Sequence, residues 1–553
     1  MSTIKQRRPA PPRPLGRPPR ATGKRPMRPA LVVACAAAIG LLGLAVAVGL
    51  HLTRPTPQLL EPPALTPALK ARLLAALHPG YPGSRPALGG ETAAEGSIES
   101  VGAADVDGDG QAEWAVAYAW LGAPAPAGGR QVRPGLAVLR SDTLEKLYDA
   151  PASGGWNGAA DPAFPDVDDF SNRVEAVDLG EGVLGFVQRY RLESRLGGRQ
   201  SHGRARVLLS GSGGWGVAWE GETEARLESG PVDEVAEGGE VTIEDLDGDG
   251  RREVLLGDSR YLRKLDAAGR GPHFTADLDA RQVFRRVGDR FEPYGLARSG
   301  EPSFRQRPAP PLLAVRTSLP VRIDANFAEW QAQELATISG LTLASPDLLM
   351  FKRRDRSGMD DISGEVRLMW DPAHLYLHAT VMDDRVVPGA AGRELYRGDH
   401  LAVWLDHDHD GDFGRIARSQ DDWQIGFSPG RPAQAHAWVP KPGRHGLQVA
   451  SRPHVDPYSG GVYGYELEMA IPWADLGGLP PGLAPSEAPA APVPLTGEPR
   501  RYELALQGVV GLGLVLSDSD AQPQELAYVS NGGFRWADPT SFNTLLLVEP
   551  RSR

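Results

Sequence analysis

The sequence DVDGDGQAE at residues 105–113 returns as DLDGDGRRE at residues 245–253, and both copies read D-x-D-x-D-G-x-x-E. Three carboxylates on alternate residues repel one another unless a cation lies between them. Oxygen ligands at this density suit Ca²⁺ better than zinc or copper, and the glycine at the sixth position permits a sharp turn around the ion. The predicted ligands are Asp105, Asp107, Asp109, the Gln111 carbonyl and Glu113 in the first copy, and Asp245, Asp247, Asp249, the Arg251 carbonyl and Glu253 in the second.

Each acidic loop is followed by an apolar run, at residues 114–118 and 254–256, that is typical of a β-strand. An EF-hand would place its closing glutamate at position twelve between two helices, whereas here the closing acid is at position nine. The two loops therefore resemble the calcium loops of FG-GAP (VCBS-like) repeats, which form β-propeller blades. The resemblance implies calcium as the cofactor; the alternative is a pair of acidic turns that bind no metal.

Composition and charge separate the chain into a short basic end and a long acidic body. A chain of 553 residues is long enough for two to four domains, and its single cysteine, Cys35, excludes an internal disulfide framework. Residues 1–29 contain nine Lys or Arg and no acid, so the net charge of −11 leaves −20 on the remainder. An acidic body of this kind argues against a nucleic-acid partner.

The N-terminal 96 residues predict a membrane anchor and a tether. Residues 1–29 are rich in Pro and Arg and are expected to be a disordered arm, and residues 30–50 form an uncharged apolar run long enough to cross a bilayer. The positive arm favours a cytoplasmic N-terminus, so the bulk of the chain is expected outside the bacterial-type cytoplasmic membrane, periplasmic or extracellular. Signal-peptide cleavage near Ala45–Ala47 is the competing interpretation. Residues 51–96 read as a Pro/Gly-rich tether with a short amphipathic helix at Thr66–Leu77.

Residues 97–306 are predicted to form a mainly β, calcium-binding domain. Short apolar runs alternate with Gly, Asp and Pro, and residues 282–291 read as a hairpin that turns at Gly288-Asp289. The segment is too short for a seven-bladed propeller, so we expect either a small propeller-like fold or a β-sandwich. A Pro-rich stretch, RQRPAPP at residues 305–311, marks its end.

Residues 316–553 carry a second set of motifs, several of which alternate in hydropathy as strands do. In chain order the motifs are IDANFAEW (323–330), VRLMWD (366–371), VMDD (381–384), GDHLAVWLD (398–406), YELEMAIPW (465–473) and WADPTSF (536–542). This series resembles carbohydrate-binding module family 9, and the resemblance implies a β-sandwich that binds sugar between two aromatic rings. Sugar C–H faces stack well on flat rings, while polar neighbours fix the hydroxyls.

The resemblance places the two stacking aromatics at Tyr396 and Trp536. The polar positions of the family do not match, because its acidic residue corresponds to Ala402, its arginine falls near Gln424 and its amide near Val515. The domain assignment is therefore more secure than the sugar site.

A third acidic run, DHDHDGD at residues 406–412, lacks a closing acid. It predicts a weaker calcium site, a zinc site through His407 and His409, or an exposed polar turn. The predicted calcium ligands in this run are Asp406, Asp408, Asp410 and Asp412. The adjacent pair Asp383-Asp384 is expected to support hydrogen bonds or a metal rather than catalysis, because neighbouring strand residues face opposite ways.

These observations predict a membrane-anchored, exported carbohydrate-binding protein that assists polysaccharide catabolism. Its expected partners are a polysaccharide or oligosaccharide, the membrane through residues 30–50, and envelope proteins. The alternative function is a structural or protein-interaction ectodomain without sugar binding. The sequence contains no G-x-S-x-G, Walker or H-E-x-x-H motif, so we lean against an enzyme; the one activity considered is hydrolysis of O-glycosyl bonds by scattered carboxylates.

Overall fold

The computed structural model covers most of the chain after residue 55. The predicted arm (residues 1–29) and apolar segment (residues 30–50) lie outside the described residues. Within the described part, no helix is long and apolar enough to span a lipid bilayer. The described range is 56–552, apart from 79–86, 89–91, 94, 123–128, 152–163, 196–198, 229–232, 265–270, 299–300, 306, 308, 353–360, 410–417, 457, 459, 482, 484–499, 521–525 and 537.

The tether contains helix α1 (Pro67–Leu77), which confirms the predicted helix. The Thr66 hydroxyl accepts a hydrogen bond from the Leu69 amide at 3.2 Å, and proline occupies the first turn, where its missing N–H costs nothing. The buried face of the helix consists of Leu73, Leu74 and Leu77. This face packs on Ile98 and Trp120.

The first sheet is antiparallel, in the order β1-β4-β5-β6-β7, with β8 paired to β6 and a separate β2-β3 pair. The strands are β1 (Gln58–Leu60), β2 (Ala87–Leu88), β3 (Thr92–Ala93), β4 (Glu95–Asp105), β5 (Glu113–Leu121), β6 (Arg130–Arg140), β7 (Lys146–Pro151) and β8 (Phe164–Val167). The first acidic loop connects β4 to β5, so its ends are fixed by a strand pair.

Two further antiparallel arrays complete the predicted calcium domain. One runs β9-β10-β11-β12-β13-β16-β17, and the other runs β14-β15-β18-β19-β20. The strands are β9 (Asp169–Asp178), β10 (Leu184–Ser194), β11 (Gln200–Gly211), β12 (Gly214–Glu228), β13 (Asp233–Gly238), β14 (Val241–Glu244), β15 (Glu253–Leu256), β16 (Ser259–Lys264), β17 (His273–Leu278), β18 (Arg281–Val287), β19 (Arg290–Arg298) and β20 (Glu301–Arg305). The predicted hairpin is confirmed as β18–β19, with Gly288 at a φ of 62°. The sheets differ in strand number, and their pairing does not show the equal blades of a propeller.

The C-terminal part contains strands β21–β33 and short helical turns. The strands are β21 (Leu312–Arg316), β22 (Leu341–Leu343), β23 (Leu349–Lys352), β24 (Ile362–Trp370), β25 (His374–Asp383), β26 (His400–Asp406), β27 (Asp422–Ser428), β28 (Gln434–Val439), β29 (Gln448–Val455), β30 (Val462–Pro472), β31 (Arg500–Asp518), β32 (Leu526–Val529) and β33 (Asn543–Ser552). The helical turns are α2 (Ala328–Ala332) and the 3₁₀ helices Glu334–Ser339, Pro346–Leu348, Gly392–Arg397 and Pro539–Ser541.

These strands form two layers around one core, as predicted for a β-sandwich. One layer runs β22-β24-β25-β30-β29, and the other runs β28-β27-β26-β31, with β32 and β33 on the far side of β31. The apolar residues that alternate along β26 and β30 face this core, as their period of two predicts. They are Leu401, Val403, Leu405, Tyr465, Leu467 and Met469. The predictions of a mainly β chain and of a sandwich at its C-terminal end are confirmed.

Strand β31 joins the two predicted domains. Its first residues pair in parallel with β17, from Phe274 opposite Arg500 to Leu278 opposite Leu504. Phe274 and Leu504 also share one buried cluster. Backbone pairing and apolar packing therefore continue across the predicted boundary near residue 311.

Candidate functional site

Trp536 lies on a base of aromatic side chains at the edge of the C-terminal sandwich. Its side chain is 38% exposed, and its ring meets those of Trp404 and Phe534 edge-on, with centroids 5.9 and 6.1 Å apart. Trp404 is buried on β26, and its Nε1 has no hydrogen-bond partner among the described residues. This arrangement offers an exposed indole supported from below, as a stacking platform requires.

The platform depends on a glycine in the strand beside Trp404. Gly513 on β31 lies opposite Trp404, and a Cβ at Gly513 would come within 2.3 Å of the Phe534 ring. Only a residue without a side chain lets Phe534 approach β31 closely enough to support Trp536.

The loop that carries Trp536 is held by its own hydrogen bonds and borders a cavity of about 440 Å³. The Arg535 amide donates to the Ser541 hydroxyl at 2.8 Å, and the Ser541 amide donates to the Asp538 carbonyl at 2.9 Å. The Asp538 side chain is buried, and its Oδ1 has no partner within the described structure. Asp538 therefore borders the cavity, although its Oδ1 is buried.

Tyr396 lies on a different element, the 3₁₀ helix Gly392–Arg397. The helix is anchored by the buried Leu395 and by the Trp438 indole, which donates to the Arg393 carbonyl at 3.0 Å. Tyr396 is 41% exposed, with the Arg397 guanidinium 5.8 Å from its ring centre. Both predicted aromatics are thus accessible, and their position across one shared cleft stays a prediction.

Two of the three positions that correspond to the family's polar residues are apolar in this chain. Ala402 and Val515 are paired across β26 and β31 and are buried in the cluster that contains Trp404 and Phe534. Gln424 is opposite Trp404 on β27 and is partly exposed. Direct hydroxyl recognition at Ala402 or Val515 is therefore absent.

The first acidic loop brings three of its predicted side-chain ligands together, and the calcium site itself stays a prediction. Oxygens of Asp105, Asp107 and Glu113 lie within 4.8 Å of one another, and Gly108 and Gly110 have φ angles of 67° and 84°. The Asp105 Oδ1 is buried and has no hydrogen-bond partner in the described part of the chain. Burial, with the neighbouring aspartates adding to it, raises the pKa of Glu113 to about 7. These residues fit a calcium ion, because its charge would offset the crowding and supply the missing partner.

The second acidic loop has similar positive φ angles at its glycines, and an arginine from another strand contacts it. Oxygens of Asp245, Asp247 and Asp249 lie within 4.8 Å of one another. Arg285 from β18 donates to Asp247 Oδ2 at 2.7 Å and to Glu253 Oε1 at 2.9 Å. A guanidinium therefore already neutralises two of the predicted ligands.

The third acidic run brings two of its predicted ligands, Asp406 and Asp408, together with Asp421. Asp406 is buried in an ion pair with Arg307, and oxygens of Asp406, Asp408 and Asp421 come together. Asp410 and Asp412 lie outside the described residues. The two histidines have separate partners, because His407 bonds the Gly478 carbonyl at 2.9 Å and His409 bonds Thr544 at 3.1 Å.

Four side chains at these sites were not found from the sequence. Asp421 reaches Asp408 because β26 and β27 pair Asp406 with Asp422. Arg285 and Arg307 are far from their acidic partners in the chain, and Trp404 reads as an ordinary strand residue. The missed residues are thus defined by strand register, which local patterns do not reveal.

Comparison with known proteins identifies the C-terminal domain. Residues 347–550 match the family model described as carbohydrate family 9 binding domain-like, so this part of the chain is a domain of that type. A solved family 9 module from Caldicellulosiruptor kristjanssonii in complex with cellotriose is 14% identical, with a TM-score of 0.28, covering 43% of this chain and 93% of that one. The glucose complex of a family 9 module from the same organism is 14% identical with a TM-score of 0.27, covering 43% and 95%. No curated protein matches the chain.

Proposed function

We propose that the C-terminal sandwich binds carbohydrate and that Trp536 is its main contact. The observation that carries the proposal is the exposed Trp536 ring on its buried aromatic base, within a domain that matches the family 9 model. A sugar ring stacked on Trp536 would bury apolar C–H groups, and the partly exposed Gln424, which lies opposite Trp404, would offer its amide to the sugar hydroxyls.

Binding is expected to be weak and tolerant of sugar identity. Buried Ala402 and Val515 provide no hydrogen bond to a hydroxyl, and hydrogen-bonded hydroxyls are what give strong discrimination between sugars. Stacking on one or two rings corresponds to millimolar affinity, or about 4 kcal/mol. The expected ligand class is therefore an oligosaccharide or polysaccharide presented at high local concentration.

Titration of glucose, cellotriose and xylan into the full chain, followed by tryptophan fluorescence, tests this function. Trp536→Ala should abolish the response, and Tyr396→Ala should weaken it if both rings contact the sugar. Tyr458→Ala is the matched control, because Tyr458 is 98% exposed on the same domain and lies outside the proposed site. An unchanged response in folded Trp536→Ala would contradict the assignment.

A scaffold function is the second candidate, and the apolar positions Ala402 and Val515 favour it. In that case the sandwich would serve as a structural or protein-interaction module. A full chain that responds to no glycan in the same titration would support this candidate and remove the first.

We further propose that calcium stabilises the β domain through the two acidic loops. The crowded Asp105, Asp107 and Glu113 and the unpartnered Asp105 oxygen support this for the first loop. At the second loop Arg285 competes for the same carboxylates, so calcium is expected to bind there more weakly.

We also propose that the protein is anchored in the cytoplasmic membrane through residues 30–50 and acts outside it, where partner enzymes degrade polysaccharide. The charge asymmetry of residues 1–29 supports this orientation. Protease added to spheroplasts should digest the body and spare the basic arm. A body that survives this treatment intact would contradict the orientation.

A further inference from the structure

The loop that carries Trp536 is closed at its base by one buried asparagine. We call residues 531–541, which lie between β32 and β33, the Trp536 loop. The Asn531 side chain is 6% exposed, and its Nδ2 donates to the Ser541 carbonyl at 3.2 Å. Its Oδ1 accepts a hydrogen bond from the Gly533 amide at 2.9 Å. Asn531 therefore joins the two ends of the loop and fixes the backbone that leads into Trp536.

A second asparagine connects this loop to the Pro-rich stretch that precedes the sandwich. The Asn531 Nδ2 also donates to the Asn543 Oδ1 at 2.9 Å, and the Asn543 Nδ2 donates to the Pro310 carbonyl at 2.8 Å. Asn543 is 1% exposed, so these hydrogen bonds are shielded from water, where such bonds are strongest. The two side chains, which we call the asparagine pair, thus link Pro310 directly to the Trp536 loop.

The Pro-rich stretch is itself fixed to the sandwich through Arg307. This residue is fully buried, and its guanidinium pairs with Asp406 at the end of β26 and donates to the His409 carbonyl at 3.0 Å. Its amide donates to the Thr544 hydroxyl at 3.1 Å. Separating a buried ion pair leaves an uncompensated charge, so Arg307 holds the stretch in one position on the sandwich.

Aromatic contacts connect the same stretch to the underside of Trp536. The Arg307 guanidinium lies 5.9 Å from the centre of the Phe542 ring. Phe542 stacks on Phe534, with ring centres 5.5 Å apart and planes inclined by 19°, and Phe534 meets Trp536 edge-on. The Pro-rich stretch therefore contacts the supports of Trp536 in two ways, through polar side chains at the base of the loop and through the rings beneath the indole.

The Pro-rich stretch lies outside the domain that matches the family 9 model, because the match begins at residue 347. Nevertheless, Ala309 and Pro310 line the cavity of about 440 Å³ together with Asn531 and Ser541. One side of the cavity thus belongs to the stretch and another to the Trp536 loop. The surroundings of Trp536 are therefore built from residues of the matched domain and from residues that precede it.

We propose that the asparagine pair positions Trp536 for sugar binding and that the Pro-rich stretch controls the affinity of the site through it. Asn531 and Asn543 are positioning residues, since they act through the loop and its tryptophan. This role rests on the proposed sugar-binding function and adds a contribution from residues upstream of the matched domain. A ring held in one orientation loses less conformational freedom when a ligand stacks on it, so positioning strengthens a weak stacking contact.

Tryptophan emission tests the positioning without any sugar. Asn543→Ala removes the connection to Pro310, so Trp536 should emit at longer wavelength and be quenched more strongly by acrylamide. The chain contains 12 tryptophans, so the same substitution is also made in a Trp536→Ala chain, where the emission should stay unchanged. An emission that Asn543→Ala leaves unchanged, or changes equally with and without Trp536, would overturn the proposal.

Calorimetric titration of the full chain with cellotriose tests the effect on affinity. Asn543→Ala should bind about threefold to tenfold more weakly than the unmodified chain, which corresponds to one buried hydrogen bond. Asn172→Ala is the matched control, because Asn172 is 1% exposed and donates to the carbonyls of Tyr118 and Gly135 at 2.8 and 3.0 Å. It should lower the melting temperature and leave the affinity unchanged. Unchanged affinity in folded Asn543→Ala would overturn the proposal.

Asn543→Asp provides a second variant if Asn543→Ala does not fold. Aspartate has the same shape and keeps an oxygen that accepts from Asn531, but it has no N–H to donate to the Pro310 carbonyl. It should weaken cellotriose binding and change the Trp536 emission in the same direction. A chain that binds no sugar would remove the sugar-binding function, and the proposed control of affinity with it. Sugar binding that is equally strong in the unmodified chain and in this variant would overturn the control of affinity alone.

Discussion

The His378 imidazole shows how one buried residue makes the sandwich sensitive to pH. Its ring lies 4.5 Å from that of Phe327 and 5.3 Å from that of Trp330, and its Nε2 has no hydrogen-bond partner among the described atoms. Burial lowers the pKa of His378 to about 4, although the carboxylate of Glu466 acts in the opposite direction. The folded protein therefore keeps this imidazole neutral at pH values where an unfolded chain would protonate it.

We predict that His378 lowers the free energy of unfolding as the pH falls from about 6.5 to about 4. In this pH window the unfolded state binds a proton at His378 that the folded state does not. Above the window neither state binds it, so the protein loses no stability through this residue. Between pH 7 and pH 5 the free energy of unfolding should fall about 2 kcal/mol less in His378→Phe than in the unmodified chain. Urea unfolding at the two pH values measures this difference.

The control for this prediction is His445→Phe, since His445 is an exposed histidine of the same domain. It should lose as much stability between the two pH values as the unmodified chain. Equal losses in His378→Phe and His445→Phe would show that His378 is not the residue responsible.

The sequence predicted the exposure of side chains that belong to a recognisable motif. It did not predict contacts that depend on strand pairing. The exposed Trp536 and Tyr396 lie at the edges of sequence motifs, so their accessibility could be expected. The aromatic base under Trp536 could not, because Trp404 and Phe534 meet only through the close approach permitted by Gly513. Nothing in the local sequence records that approach.

At the scale of elements, the two acidic loops share one backbone design but differ in charge balance. Both loops close between paired strands, with the amide of the second loop residue donating to the closing glutamate at 2.8 Å and 3.2 Å. The second loop receives an arginine from another strand, because β18 pairs with β15 and brings Arg285 to Glu253. The repeated motif was readable from the sequence, whereas the arginine 32 residues beyond Glu253 depended on sheet register.

We predict that Arg285→Met makes the second loop depend on calcium. Without the guanidinium, the buried Glu253 loses its counter-charge, so the variant should be about 1–3 kcal/mol less stable than the unmodified chain in EDTA. Saturating calcium should reduce this deficit, because the ion then replaces the arginine. Urea unfolding in EDTA and in calcium chloride measures both values.

Arg286→Met provides the comparison, since Arg286 is the next residue but pairs with Glu181 at 3.3 Å instead of with the loop. Its effect should be the same with and without calcium. If the Arg285→Met deficit were equally insensitive to calcium, the second loop would be a turn held by hydrogen bonds alone.

At the scale of the whole molecule, the sequence predicted the C-terminal sandwich but not its continuity with the preceding β strands. The C-terminal sandwich followed from alternating hydropathy, and Pro-rich residues 305–311 suggested a linker after the first domain. The parallel pairing of β17 with β31 joins segments more than 200 residues apart, and a pairing of that range leaves no local signal. Hydrogen bonds reinforce it, since Arg298 donates to the Leu506 carbonyl at 2.7 Å and the Leu506 amide donates to Asp279 at 2.8 Å.

We predict that residues 57–553 unfold as one cooperative unit and that the shared core determines their stability. Phe274 is fully buried in the cluster with Tyr502 and Leu504, so Phe274→Ala should cost about 3–5 kcal/mol. Because strand β31 also forms the centre of the sandwich, the loss should appear in the fluorescence of the C-terminal tryptophans as well as in calorimetry. Val287→Ala, at a side chain that is 55% exposed, should leave the transition unchanged. The opposite result would be two separate unfolding transitions, with Phe274→Ala shifting the transition that the C-terminal tryptophans do not report. That result would show that the linker after residue 305 divides independent domains.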